Sequence, residues 1–128
     1  MLFAPLIAAA FVANPLMLGA KLDAMQDHAS SHGTGTFTAT VANGKLSWHL
    51  SFKGLTGKAT AAHIHIGKKG VSGNVLIPLC APCSKAAMGT VKLNAMQLQD
   101  LKKKGATYVN VHTAKYANGE IRGQLASH

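Results

Sequence analysis

Acidic side chains are almost missing from this chain: four, Asp23, Asp27, Asp100 and Glu120, stand among 128 residues against thirteen Lys and Arg. They are too scattered in sequence to suggest the paired carboxylates of a glycosidase. Aromatic residues are also scarce, at 5%. The net charge of +9 therefore comes without the interleaved stacking groups of a nucleic-acid groove, and no nucleic-acid partner is expected. Solubility accounts for the excess, with an anionic surface or a protein partner as the alternatives. The densest basic run, Lys102 to Lys104, closes a predicted helix, where cations complement the negative end of the helix dipole. The length allows one domain, and a hydrophobic content of 48% supplies its core. No repeat, linker or second domain is visible.

Charge is absent altogether from Met1 to Ala20, a stretch dominated by Leu, Ala, Phe, Ile, Val and Met. Residues 1–20 fit a signal peptide or apolar leader, with small residues at Ala8 to Ala10, Ala13 and Gly19 to Ala20 as cleavage neighbourhoods, although the usual basic start is missing. An uncleaved anchor would have to absorb Pro5, Asn14 and Pro15 near the minimum spanning length, so no membrane span is expected in the mature protein. Secretion or a periplasmic location follows. Only two cysteines are present, in Cys80-Ala81-Pro82-Cys83. Such a pair suits thiol redox chemistry or a metal, but here it interrupts a β-rich stretch instead of opening a helix. With export expected, a local disulfide is the favoured reading.

From residue 34 onward the dominant period is two, in short runs separated by Gly or Asn-Gly signals, which predicts an all-β antiparallel domain over 21–128 whose first strand begins near residue 15. Strands are predicted at Pro15 to Asp23, Thr34 to Ala42, Lys45 to Phe52, Thr60 to Gly67, Asn74 to Cys80, Met88 to Leu93, Thr107 to Thr113 and Glu120 to Ala126. Asn43-Gly44 marks a hairpin. Asn94 caps one short helix over 95–103, ended by Gly105.

Seven histidines are many for this length. His49, His63, His65 and His112 fall in predicted strands, and in each strand the neighbouring apolar residues claim the opposite parity, so all four face away from the core. A fold-back about Gly54 to Gly57 sets His49 opposite His63. A second, about residue 116, sets His112 opposite Glu120 and Asn110 opposite Arg122, within cross-strand reach. A carboxylate beside a histidine can fix its tautomer for metal binding. Alternate residues of a strand lie roughly 7 Å apart on one face, so His63 and His65 can converge on one ion, and imidazole-rich sites suit copper, zinc and nickel. The competing reading is a row of exposed polar residues.

The segments Ala61-Ala62-His63-Ile64-His65-Ile66-Gly67, the Gly70 to Gly73 loop, Tyr108-Val109-Asn110-Val111-His112-Thr113 and Gly119-Glu120-Ile121-Arg122-Gly123-Gln124 resemble the chordin-type (CHRD) domain over about residues 16 to 126. The resemblance departs at Asp23 to Ser31, where the family has a Glu-Val-Pro segment. It implies a secreted or surface-exposed immunoglobulin-like β-sandwich with no general enzymatic activity. The His-Ile-His strand and the later histidine also resemble, more distantly, the copper ligands of the Greek-key copper,zinc superoxide dismutases. That resemblance implies His63, His65 and His112 as ligands, with His49 as a candidate fourth. Glu120, Asn110 and Arg122 would support them from behind. Three functions are thus weighed: an exported copper-binding or storage protein, a dismutase-like enzyme in which Arg122 draws in the anion, and an interaction module whose histidines only decorate a surface.

Overall fold

The computed structural model describes residues 14–128. Nine strands and one helix follow in chain order: β1 (Leu16–Asp23), β2 (Thr34–Ala42), β3 (Lys45–Lys53), β4 (Ala59–Ile66), β5 (Val75–Cys80), β6 (Ala86–Lys92), α1 (Ala95–Lys102), β7 (Thr107–Thr113), β8 (Ile121–Gln124) and β9 (Ala126–Ser127). Hydrogen bonding runs along a single antiparallel path, β5-β4-β7-β8-β1-β2-β3-β6, with β9 added on β1. The sheet curls until its end strands β5 and β6 approach one another, so the fold is barrel-like and nearly closed. The all-β expectation holds in this form. A single continuous sheet takes the place of the two separately bonded layers expected of a sandwich.

Period-two alternation builds this sheet. In β3, Leu46, Trp48, Leu50 and Phe52 are buried while the residues between them are exposed, and Asn43-Gly44, both at positive φ, turns the chain from β2 into β3. The inward residues meet inside the curl, where Phe37, Leu46, Leu50, Ile64, Ile77, Val109, Val111 and Ile121 are fully enclosed. Gly89 lies across from Trp48, and a Cβ there would press on the indole ring. The helix is set by a capping box: the Asn94 side chain accepts from the Gln97 amide at 2.8 Å and the Gln97 side chain accepts from the Asn94 amide at 2.9 Å. Gly105, at φ +69°, follows it.

Cys80 and Cys83 form the expected disulfide. It closes the turn between β5 and β6, which is held on both sides by main-chain bonds, Cys83 N–H to the Ala59 carbonyl and Phe52 N–H to the Lys85 carbonyl, each 3.1 Å. Residues 1–13 of the predicted leader lie outside the described residues. Leu18 and Ala20 are core residues of β1, so the expected boundary at residue 20 falls inside that strand. No helix among the described residues is long and apolar enough to cross a membrane.

The Gly54 to Gly57 turn does not pair the strands on either side of it. β3 is bonded to β2 and β6, and β4 to β5 and β7. Instead the turn carries the chain across the mouth of the barrel, pinned there by Thr56, whose amide and hydroxyl both donate to Glu120. His49 is therefore not opposite His63. It is exposed on β3, across from Thr38 and Met88, and takes no part in the histidine cluster.

Candidate metal centre

β4 and β7 are hydrogen-bonded neighbours in a register that sets His63 across from Asn110, His65 across from Tyr108 and Ala61 across from His112. Since Ile64, Val109 and Val111 point into the core, His63, His65 and His112 share the opposite face. Their rings are 4.9 Å (His63 to His112), 5.4 Å (His63 to His65) and 5.9 Å (His65 to His112) apart between centroids. One nitrogen from each lies within 4.8 Å of the others.

The tautomers follow from the hydrogen bonds. His65 Nδ1 is 3.0 Å from the Gly73 carbonyl and His112 Nδ1 is 2.9 Å from the Ala117 carbonyl. A carbonyl only accepts, so both Nδ1 atoms carry the proton and both Nε2 atoms present lone pairs. His65 Nε2 is buried without a partner. His112 Nε2 faces His63 Nδ1 at 3.1 Å. An imidazole whose far N–H is held by a backbone carbonyl is the usual arrangement for a metal-binding histidine. Nitrogen-to-metal bonds are about 2.0–2.1 Å, so only a modest contraction of the trio is needed to close on one ion. Burial, followed by the neighbouring His112 and His65, lowers the pKa of His63. Burial also lowers that of His112, aided by His65 and opposed by the bond to Ala117. Both rings are thus kept neutral, the form that binds metal.

This face is not the open surface that strand parity suggested. Tyr108, Asn110 and Arg122 are 2%, 2% and 3% exposed, roofed by the 67–74 loop and the 24–33 segment. Arg122 Nη2 donates to the Lys68 carbonyl, the Gly73 amide donates to the Tyr108 hydroxyl, and the Gly70 amide donates to the Gln26 side chain. The guanidinium lies 3.3 Å above the Tyr108 ring, which itself stacks on His65 at 4.9 Å. Gly73 thereby holds both His65 and Tyr108. A side chain there would strike the Ile66 carbonyl. Gly73→Ala should therefore move the Gly73 carbonyl off His65 and weaken metal binding about 10-fold or more, the usual scale for such supporting groups, as read by metal titration of the refolded variant.

Asn110 and Arg122 do pair in register as expected, yet neither hydrogen-bonds to a histidine ring. The Asn110 amide donates to the Asn118 carbonyl, and Arg122 sits behind Tyr108 instead of at the open side of the cluster. Glu120 is the larger departure. Gly119, at φ +124°, bends the chain just before β8, taking Glu120 out of the strand alternation. Its carboxylate is fully buried and accepts from Ser31 Oγ at 2.7 Å, Thr56 N at 2.9 Å, Thr113 Oγ1 at 2.8 Å and the Thr56 hydroxyl. It stitches three segments together and leaves nothing for His112.

Asp27, in the roofing segment, has its pKa raised to about 6 by burial, which outweighs Arg122, Asn110 and His28. A carboxyl raised in the folded state contributes stability below its unfolded pKa that is lost as pH rises through the folded value. Asp27→Asn should then raise the melting temperature at pH 7.5 and lose that advantage below about pH 4. Equal melting of the two proteins at pH 7.5 would contradict this.

The partners Gly73 and Ala117 act through main-chain carbonyls, which no residue type announces, so sequence reasoning missed them. Tyr108 was legible by parity alone. No curated protein and no solved structure matches the chain. Residues 18–125 match the CHRD domain, which spans β1 to the end of β8, and the chain belongs to the CHRD-domain family.

Proposed function

We propose that this chain is an exported copper-binding protein that holds the ion through His65 Nε2, His112 Nε2 and a ring nitrogen of His63 in a binding or storage role. The observation that carries the reading is the buried, unpartnered His65 Nε2 in a ring already oriented by Gly73, aimed at two further neutral imidazoles. A donor set of nitrogen alone suits copper, zinc and nickel, and copper binds such sites most tightly of the divalent ions. The thiols are tied up in the disulfide, and no carboxylate belongs to the cluster. Binding is favoured over dismutase-like turnover because Arg122 is enclosed behind Tyr108, where it cannot guide an anion to the metal. Export accords with the apolar leader and the disulfide, and cleavage ahead of β1 is favoured over cleavage at Gly19 to Ala20, which would remove Leu18 from the core.

The test is a copper titration of the mature, untagged protein and of His63→Ala, His65→Ala and His112→Ala. One equivalent is expected to bind the parent, and each variant should bind more weakly by at least the roughly 10 to 100-fold that loss of a supporting group alone costs. Affinity should fall on acidification as the rings take up protons, with His63 and His112 held neutral to lower pH than an ordinary histidine. Stoichiometric, undiminished binding by all three variants would move the copper elsewhere.

A further inference from the structure

A cleft of about 460 Å³ opens between the end of β3, the start of β4 and the disulfide turn. This lies within the size range of small-molecule sites. Its apolar lining comes from Phe52, Leu55, Ala59, Pro82 and Cys83. The walls are preformed, because the two main-chain bonds of the disulfide turn, to Ala59 and from Phe52, lock its position. Lys53, Lys58 and Lys85, from three separate elements, stand around the rim. None of the four acids of the chain lines the cleft, and among the described residues the one ion pair is Lys103 with Asp100. Three uncompensated cations around an apolar slot are complementary to a ligand with a hydrocarbon body and a negative head.

We propose that this cleft binds a single-chain anionic amphiphile, a long-chain carboxylate whose tail lies on Phe52, Leu55 and the disulfide and whose head group meets Lys53, Lys58 and Lys85. The site shares no residue with the histidine cluster, so it stands or falls independently of copper. A long hydrocarbon body is favoured over a compact anion because the apolar lining, not the exposed lysines, supplies most of the attraction. Exposed ion pairs are individually weak.

Titration with dodecanoate below its micelle concentration, followed by amide chemical shifts, tests this. One equivalent should bind, with the largest shifts at Leu55, Ala59 and Cys83. Dodecanoate should bind about tenfold more tightly than decanoate, since each buried methylene is worth up to about fourfold. The doubly substituted Lys53→Glu, Lys85→Glu protein should bind dodecanoate about tenfold more weakly, both changes lying on exposed positions that leave the fold intact. Uncharged dodecyl maltoside should bind more weakly than dodecanoate to the parent. The proposal is overturned by shifts that map elsewhere, by equal affinity for the uncharged amphiphile, by undiminished binding to the Glu variant, or by no binding at all.

Discussion

Replacing Ile64 with Asp is expected to leave the chain unfolded at 25 °C, whereas replacing its neighbour His63 with Ala should leave the melting temperature of the metal-free protein within a few degrees of the parent. Ile64 is fully enclosed, packed with Val109 across the β4–β7 ladder and with Ile77 across β5. A carboxylate there has no partner, and burying one costs several kcal/mol even after the group takes up a proton. That is comparable to the whole stability of a small domain, about 5–15 kcal/mol. His63 is half-buried on the other face, and its ring makes one hydrogen bond, to His112. Far-ultraviolet circular dichroism and a melting curve separate the two outcomes. A folded Ile64→Asp protein would show that the β4 register is wrong.

Glu120→Gln should lower stability by about 1–3 kcal/mol at pH 7 and leave copper affinity unchanged. All four groups bonded to this carboxylate are donors: three hydroxyls and the Thr56 amide. The hydroxyls can rotate, but the amide cannot, and Ser31 Oγ is already engaged as an acceptor of the Gly33 amide. A carboxamide must turn its NH₂ toward the Thr56 and Thr113 hydroxyls, which then have to rotate and accept, so their own hydrogens lose this acceptor and the charge is lost with it. Burial works to raise the Glu120 pKa, and the bonds from Thr56, Ser31 and Thr113 outweigh it, holding the carboxyl below the ordinary glutamate value. A depressed carboxyl contributes stability that is complete above its unfolded pKa and is lost as pH falls through the folded one. The parent should therefore lose its advantage over Glu120→Gln on acidification below the ordinary carboxylate range. A titration in urea at pH 7 and at pH 3 measures both. Loss of copper affinity with unchanged stability would return Glu120 to the metal centre.

The alternation of β2, β3, β4 and β7 was readable residue by residue, because a half-buried strand must place its apolar side chains on one face. The Asn94 cap was equally local, as was the Cys80 to Cys83 closure. These predicted spans agree with the structure to within one or two residues, and parity alone assigned His63, His65 and His112 to one side. Which strands stand beside one another is not a local property. Nothing in Gly54 to Gly57 says whether the chain folds back or crosses the barrel mouth; the pairing of β3 with β2 and β6 and of β4 with β5 and β7 sets the crossing, and Thr56 secures it on Glu120, a residue 64 positions away. That pairing brought His112 within 3.1 Å of His63 and left His49 alone on β3. Long-range contacts also turned an outward face into an enclosed one, since the 67–74 loop and the 24–33 segment fold over Tyr108, Asn110 and Arg122. By itself, then, the sequence determined strand identity, side-chain direction and the CHRD resemblance. The tertiary structure alone decided strand adjacency, the carbonyls that orient His65 and His112, and the removal of Glu120 and Arg122 from the cluster, because each depends on groups from separate segments meeting across the fold.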